Sequence, residues 1–231
     1  MDGIEAVFLD VGGVLHLPNH RLILDGLHRA GFDADPERLD RGHYAGVAAL
    51  HDAPSEADDM WRAYQLAYVK EVGVPLEGWE DAIAELFAAF STPGMWSRVV
   101  PGAVDGLRAL HATGVTLAIV SNSDGTLEGR LAAEGICQAG PGAGVPVTIV
   151  IDSAAVGVAK PDPGIFRIAL EATGVAPDRT VHVGDTVSAD VVGALAAGVR
   201  PLHLDPYGFC DDTSHPHVAD LATLAAALAG V

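Results

Sequence analysis

Five short apolar runs, separated from one another by helical patterns, leave this chain very few folds to choose from. They lie at residues 4–9, 115–120, 146–151, 180–183 and 201–204. Runs of this length, bounded by glycine and polar turn residues, read as buried strands. The intervening helices are expected at about 102–112, 124–134, 162–172 and 188–197, with a closing helix at 218–228. Strand–helix alternation predicts an α/β fold built on a parallel, doubly wound sheet.

One stretch breaks the alternation. From about residue 17 to 92 the pattern is helical, with no good strand. Leu22, Ile23 and Leu27 share a face that stops at Gly31. Asp35-Pro36 supplies a cap and first-turn proline. Ser55 and Asp58 resemble a capping box ahead of Met60, Trp61, Tyr64 and Tyr68. Trp79, Ile83, Leu86 and Phe90 mark a fourth helix. The aromatics read as bundle core. The helical block thus forms an insertion at 17–94, bounded by Pro18-Asn19 and Thr92-Pro93-Gly94, within a core of 1–16 and 95–231. The glycine-rich loop 135–144 neither follows a strand nor opens a helix, and reads as a flexible connection.

In an open parallel sheet, ligands gather where the strands end. Asp10 follows the first strand, and Ser121 and Asn122 follow the second. Lys160 comes across a turn from the third. Gly184 and Asp185 follow the fourth, with Asp190 five residues on. Singly, each is an ordinary turn or capping residue. Jointly they are a carboxylate nucleophile, a hydroxyl at a helix start, an ammonium and an acidic pair. That combination suits phosphoryl transfer. Asp10 and Asp185 can hold a hard cation such as Mg²⁺. Ser121 and the N–H groups opening the next helix can bind phosphate oxygens. Lys160 can supply fixed positive charge, and Asp190 can accept a hydrogen bond from it or from metal-bound water.

Charge sharpens the role of Lys160. The formal net charge is −18 and the pI about 4.6. Such a field disfavours nucleic acid and anionic membranes as partners, and repels a phosphorylated substrate unless positive charge is placed locally. Lys70 and Lys160 are the only lysines in a chain whose other cations are arginines. No apolar run reaches the roughly 18 residues that span a bilayer. The acidic start, Met-Asp-Gly-Ile-Glu, is unlike a signal peptide, so a cytoplasmic address is expected. Cys137 and Cys210 are far apart and read as free thiols. Cys210, Asp211, Asp212, His215 and His217 offer ligand atoms, but their spacing matches no standard zinc site and reads as a polar loop.

The segments around these residues resemble a known family. Val7-Phe8-Leu9-Asp10-Val11-Gly12-Gly13-Val14-Leu15 resembles the first motif of the haloacid dehalogenase superfamily, and Ile119-Val120-Ser121-Asn122 the second. Val158-Ala159-Lys160-Pro161-Asp162-Pro163 resembles the third, and Val183-Gly184-Asp185 with Asp190 the fourth. The insertion resembles the family's C1-type helical cap. The resemblance implies a Rossmann-like core, Mg²⁺, an aspartyl-phosphate intermediate and a small phosphorylated substrate. By position it makes Asp10 the nucleophile and a metal ligand, with the Gly12 carbonyl, Asp185 and Asp190 completing or supporting the metal site. Ser121, Asn122 and Lys160 become the phosphate contacts. One departure stands out: the family's phosphatases usually carry a second Asp where this chain has Gly12. That Asp protonates the leaving group and then activates water, a contribution of about 10²–10⁴-fold. A group such as His16 or His20 can substitute, the substrate can have a good leaving group, or turnover can be slow. The alternatives are a metal-independent 2-haloacid dehalogenase and a weakly catalytic phosphate-binding protein. The Gly184-Asp185 pair favours metal and phosphate. The number of subunits is not readable from the sequence.

Overall fold

The structure, a computed structural model, describes residues 1, 3–51 and 57–230. In chain order, β1 (Ala6–Leu9) and β2 (His16–Pro18) precede α1 (His20–Arg29), α2 (Leu39–Ala49), α3 (Ala57–Glu71) and α4 (Trp79–Phe90). Next come β3 (Trp96–Val99), α5 (Ala103–Ala112), β4 (Thr116–Ser121), α6 (Leu127–Ala133), β5 (Cys137–Ala139), β6 (Val145–Val147) and β7 (Val150–Asp152). Then follow α7 (Ser153–Val156), α8 (Pro163–Thr173), β8 (Thr180–Gly184), α9 (Val192–Ala196), β9 (Arg200–Leu204), β10 (His217–Val218) and α10 (Leu221–Ala229). The chain divides into two compact units. One comprises Met1–Leu15, Val100–Pro206 and Asp212–Val231; the other comprises His16–Val99 and Tyr207–Asp211.

The first unit is the expected α/β body. Its six strands run in the order β10-β9-β8-β1-β4-β7, and every neighbouring pair is parallel. β1 lies in the middle with all four residues buried, which is why it reads as a continuous apolar run rather than an alternating one. Ala6, Phe8, Ala118, Val120 and Ile151 pack with Ile165, Phe166 and Ala169 of α8. α8 begins where the Asp162 side chain accepts a hydrogen bond from the Gly164 N–H and Pro163 occupies the first turn; it stops at the left-handed Gly174.

Three local expectations change. Residues 137–139 form β5, paired in parallel with β6, so the glycine-rich stretch carries part of a strand pair. The Gln138 amide grips it, accepting from the Gly144 N–H at 2.8 Å and donating to the Gly144 carbonyl at 3.2 Å. The stretch 146–151 divides between two sheets as β6 and β7. The helix expected at 188–197 opens as a π-helical turn at Val187–Val191, a local widening that often marks functional sites.

The second unit buries Ile23, Leu27, Leu39, Tyr64, Tyr68, Val69 and Leu86 in a helical core. Asn19 caps α1 by accepting from the N–H groups of Arg21 and Leu22. Tyr64 and Tyr68 are core residues as expected, but Trp61 is 42% exposed and touches the core edge-on through Tyr64. Ser55, which would open the capping box read ahead of α3, lies outside the described residues. A strand pair also occurs where none was expected, with β2 and β3 antiparallel. Two side chains anchor β3: Asn19 donates to the Ser97 hydroxyl, and Arg98 makes two hydrogen bonds to Asp40 of α2. Among the described residues, no helix is long and apolar enough to cross a membrane.

Candidate active site

Strand register assembles the acidic centre. Leu9 of β1 lies opposite Ile119 of β4 and Val183 of β8. Asp10 therefore sits level with Val120 and Gly184, and Ser121 and Asp185 follow one residue further along on either side. The Asp10 N–H donates to the Val183 carbonyl at 2.9 Å, which ties the residue to β8 as the strand ends.

Lys160 reaches this point from the loop after α7. Its Nζ lies 2.7 Å from Asp10 Oδ1 and 2.6 Å from Asp190 Oδ1, with all three side chains buried. Asn122 fixes the lysine's backbone. Its Oδ1 accepts from the Lys160 N–H at 2.8 Å, and its Nδ2 donates to the Lys160 carbonyl at 3.0 Å. Both ends of the Asn122 amide are thus engaged, which makes this residue, expected as a phosphate contact, a brace for the lysine. Ser121, at the end of β4, is buried beside it.

Asp190 is held by three donors. Lys160 Nζ and His182 Nε2 share Oδ1, the latter at 2.8 Å, and the Thr186 N–H bonds Oδ2 at 3.1 Å. The oxygens of Asp190, expected beside the metal, also serve the lysine, the histidine and the π-helical turn. Asp185 Oδ1 accepts from the Thr186 hydroxyl at 3.0 Å. One oxygen from each of Asp10, Asp185 and Asp190 lies within 4.8 Å of the others.

Two glycines make this proximity possible. Gly13 has φ +66°, and a Cβ there would overlap the Asp185 carboxylate. A Cβ on Gly184 would overlap Cβ and Cγ of Asp190. Gly184→Ala is accordingly expected to displace Asp190 and cost about 1–3 kcal/mol of stability, measured by urea denaturation.

The charges are unbalanced. Burial raises the Asp10 carboxyl to about 6; Lys160 opposes that rise, and the Asp190 and Asp185 carboxylates add to it. Burial acts on Asp190 in the same direction, but Lys160 and His182 overcome it and hold the group well below the usual carboxylate range. Burial alone would lower Lys160, yet its two carboxylates outweigh it and keep the ammonium protonated. Three buried carboxylates, Asp10, Asp185 and Asp190, thus gather around Lys160. Their oxygens are the hard donors that a divalent cation such as Mg²⁺ takes, so the residues present fit that ion.

Sequence reasoning missed two members of this neighbourhood. His182 is a polar residue inside an otherwise apolar strand, and that anomaly was its only signal. Asp152, at the end of β7, accepts from the N–H groups of Gly125, Leu127 and Ala154. It thereby occupies donors at the start of α6 that were expected to face phosphate. Elsewhere, His20 is bound to Asp40 at 2.6 Å. Burial raises Asp40, but hydrogen bonds from His20 and Arg98 hold it well below the carboxylate range. Arg41 pairs with Glu71 and stacks over Phe209, Arg62 pairs with Glu80, and buried His43 bonds the Tyr64 hydroxyl.

Known proteins share this arrangement of chain and fold. Residues 4–198 match the sequence model of the family described as haloacid dehalogenase-like hydrolase. The chain is 37% identical over 191 residues to haloacid dehalogenase-like hydrolase domain-containing protein 3 of Homo sapiens, spanning 76% of this chain and 73% of that protein. It is 34% identical over 144 residues to a phosphoserine phosphatase of Thermus thermophilus, spanning 62% of this chain and 53% of that one. In fold it resembles a phosphatase of the same superfamily from Thermococcus onnurineus, with a TM-score of 0.58, 21% identity and coverage of 98% and 99% of the two chains. A family match over most of the sequence, joined to a relative matched across most of both chains, places this protein among the haloacid dehalogenase-like hydrolases.

Proposed function

We propose that the protein is a Mg²⁺-dependent phosphatase of a small phosphorylated molecule, working through an aspartyl-phosphate on Asp10. The observation that carries this reading is Lys160 Nζ, held 2.7 Å from Asp10 and 2.6 Å from Asp190 in a buried acidic cluster. The phosphoserine phosphatase relative supports the same chemistry.

Asp10 attacks phosphorus through one carboxylate oxygen, and the leaving-group oxygen departs on the opposite side. Lys160 lowers the repulsion between that carboxylate and the phosphoryl oxygens. Ser121 donates its hydroxyl to one of those oxygens. Asp190, steadied by His182 and Thr186, keeps Lys160 aimed at Asp10, and Asn122 keeps the lysine's backbone in place. Asp10, Asp185 and the Gly12 carbonyl would hold Mg²⁺. The ion supplies charge neutralisation of nucleophile and phosphate together. Cys137 and Cys210 are in no disulfide among the described residues, which supports a cytoplasmic address.

Gly12 offers no side chain to protonate a leaving group, and His20 is engaged by Asp40. The favoured substrates are therefore those with stable leaving groups. Phosphate release should need Mg²⁺ and run about 10²-fold or more faster on aryl or acyl phosphates than on alkyl phosphates. A phosphate-release assay across such a panel, beside a halide-release assay on 2-haloacids, tests both parts. Rapid alkyl phosphate turnover that survives replacement of His16 and His20 overturns the leaving-group reading. Metal-independent halide release would favour the dehalogenase instead.

A further inference from the structure

We infer a second metal site, separate from the acidic centre, in which His203, His215 and His217 bind a zinc-like divalent ion through imidazole nitrogen. The inference does not depend on the phosphatase reading. All three residues belong to the first unit. His203 lies on β9 and His217 opposite it on β10, while His215 enters from the loop leading into β10. Ring centroids are 5.1 Å apart for His203 and His215, 5.0 Å for His203 and His217, and 4.8 Å for His215 and His217. One ring nitrogen from each lies within 4.8 Å of the others.

The outer nitrogens are arranged as they are around bound metals. His203 Nε2 lies 2.9 Å from the Asp185 carbonyl, and His217 Nε2 lies 3.1 Å from the Asp212 carbonyl. A carbonyl only accepts, so both nitrogens carry the proton and each neutral ring keeps a lone pair on Nδ1. His215 Nδ1 faces the Asp212 carboxylate at 3.5 Å, which leaves Nε2 directed at His203. Metal-binding histidines regularly donate their other N–H to a carbonyl in the way His203 and His217 do here.

The inner nitrogens have the spacing for an ion. His203 Nδ1 and His215 Nε2 are 3.0 Å apart. Two nitrogens on a tetrahedral zinc, each about 2.05 Å from it, stand about 3.3 Å apart, so a small opening admits the metal. His217 Nδ1 faces the Asp205 carboxylate at 3.7 Å. Three imidazoles select zinc and its late-transition neighbours over Mg²⁺, which prefers oxygen. The two sites therefore differ in donor chemistry. They are joined by the hydrogen bond from His203 to the Asp185 carbonyl. An ion here would pin β10 to β9 at the sheet edge.

The test uses the full chain, stripped with a chelator and titrated with Zn²⁺ in the presence of millimolar Mg²⁺. The expected result is one tightly held zinc per chain and a raised Tm. Co²⁺ in its place should give the intense visible bands of a four-coordinate, nitrogen-bound ion. His217→Ala, at an exposed position, should weaken Zn²⁺ binding about tenfold or more and bleach the Co²⁺ bands while far-UV circular dichroism is unchanged. His215→Gln should do the same. Asp10→Asn should retain the zinc and the bands. The inference fails if zinc does not bind stoichiometrically beside Mg²⁺, if it survives both histidine substitutions, or if Asp10→Asn removes it.

Discussion

Asp10→Asn is expected to lower Mg²⁺-dependent phosphate release at least about 10³-fold, since the amide cannot form the phospho-enzyme. Wild type incubated with an aryl phosphate should carry a hydroxylamine-sensitive phosphoryl group, and the variant none. Misfolding is excluded by the sign of the stability change. Burial raises the folded Asp10 carboxyl from 3.8 to about 6. A group raised in this way binds more protons in the native state than in the unfolded one, so its contribution to stability falls as pH rises from about 4 through 6. At pH 7.5 without metal, wild type holds a buried charge that asparagine lacks. The variant should therefore melt at the same temperature as the stripped wild type or above it, and that difference should shrink at pH 5. Full activity in Asp10→Asn would refute the mechanism.

Lys160→Met is expected to be the most destabilising single change in the first unit. It removes the ammonium between Asp10 and Asp190 and leaves two buried carboxylates facing each other. Breaking one side of a buried ion pair typically costs 3–5 kcal/mol, much of it the uncompensated charge that remains. Urea denaturation at pH 7.5 should show a loss of about that size and a recovery at lower pH as the carboxylates protonate. Adding Asp190→Asn to Lys160→Met should restore part of the stability by removing one stranded charge, without restoring activity. Lys160→Arg should not rescue activity either. Its guanidinium is a planar fork, whereas the two carboxylate oxygens here converge on a single nitrogen at 2.7 and 2.6 Å. A fully stable Lys160→Met would mean that the lysine does not neutralise this cluster.

How much of this was legible in the sequence varies by residue, and the reason is locality. Asp10 could be singled out because an apolar strand stops at it and two glycines follow. Lys160 stood out because the chain otherwise favours arginine. Ser121 and Asp185 were visible as strand-end residues. Asn122 carried the same kind of mark, yet its partner is the backbone of Lys160, 38 residues away. The strand pair around the loop at 135–144 was hidden because glycine content signals freedom, while the Gln138 side chain that bridges it has no local signature. Asp152 and His182 were passed over for the same reason.

The alternation of buried strands and helices, dictated by hydrophobic periodicity, determined a parallel sheet with its chemistry at the strand ends. It also set the order of Asp10, Ser121, Lys160 and Asp185 along the chain. Only the tertiary structure decided which strand ends meet. β8 lies beside β1 across more than 170 residues of sequence, and that pairing brings Asp185 and Asp190 against Asp10. It also decided that His203, His215 and His217 converge, although the last two sit in what reads as a polar loop. Strand pairing is settled by the burial of whole faces and by backbone hydrogen bonds between distant segments, and no short stretch of sequence contains both partners.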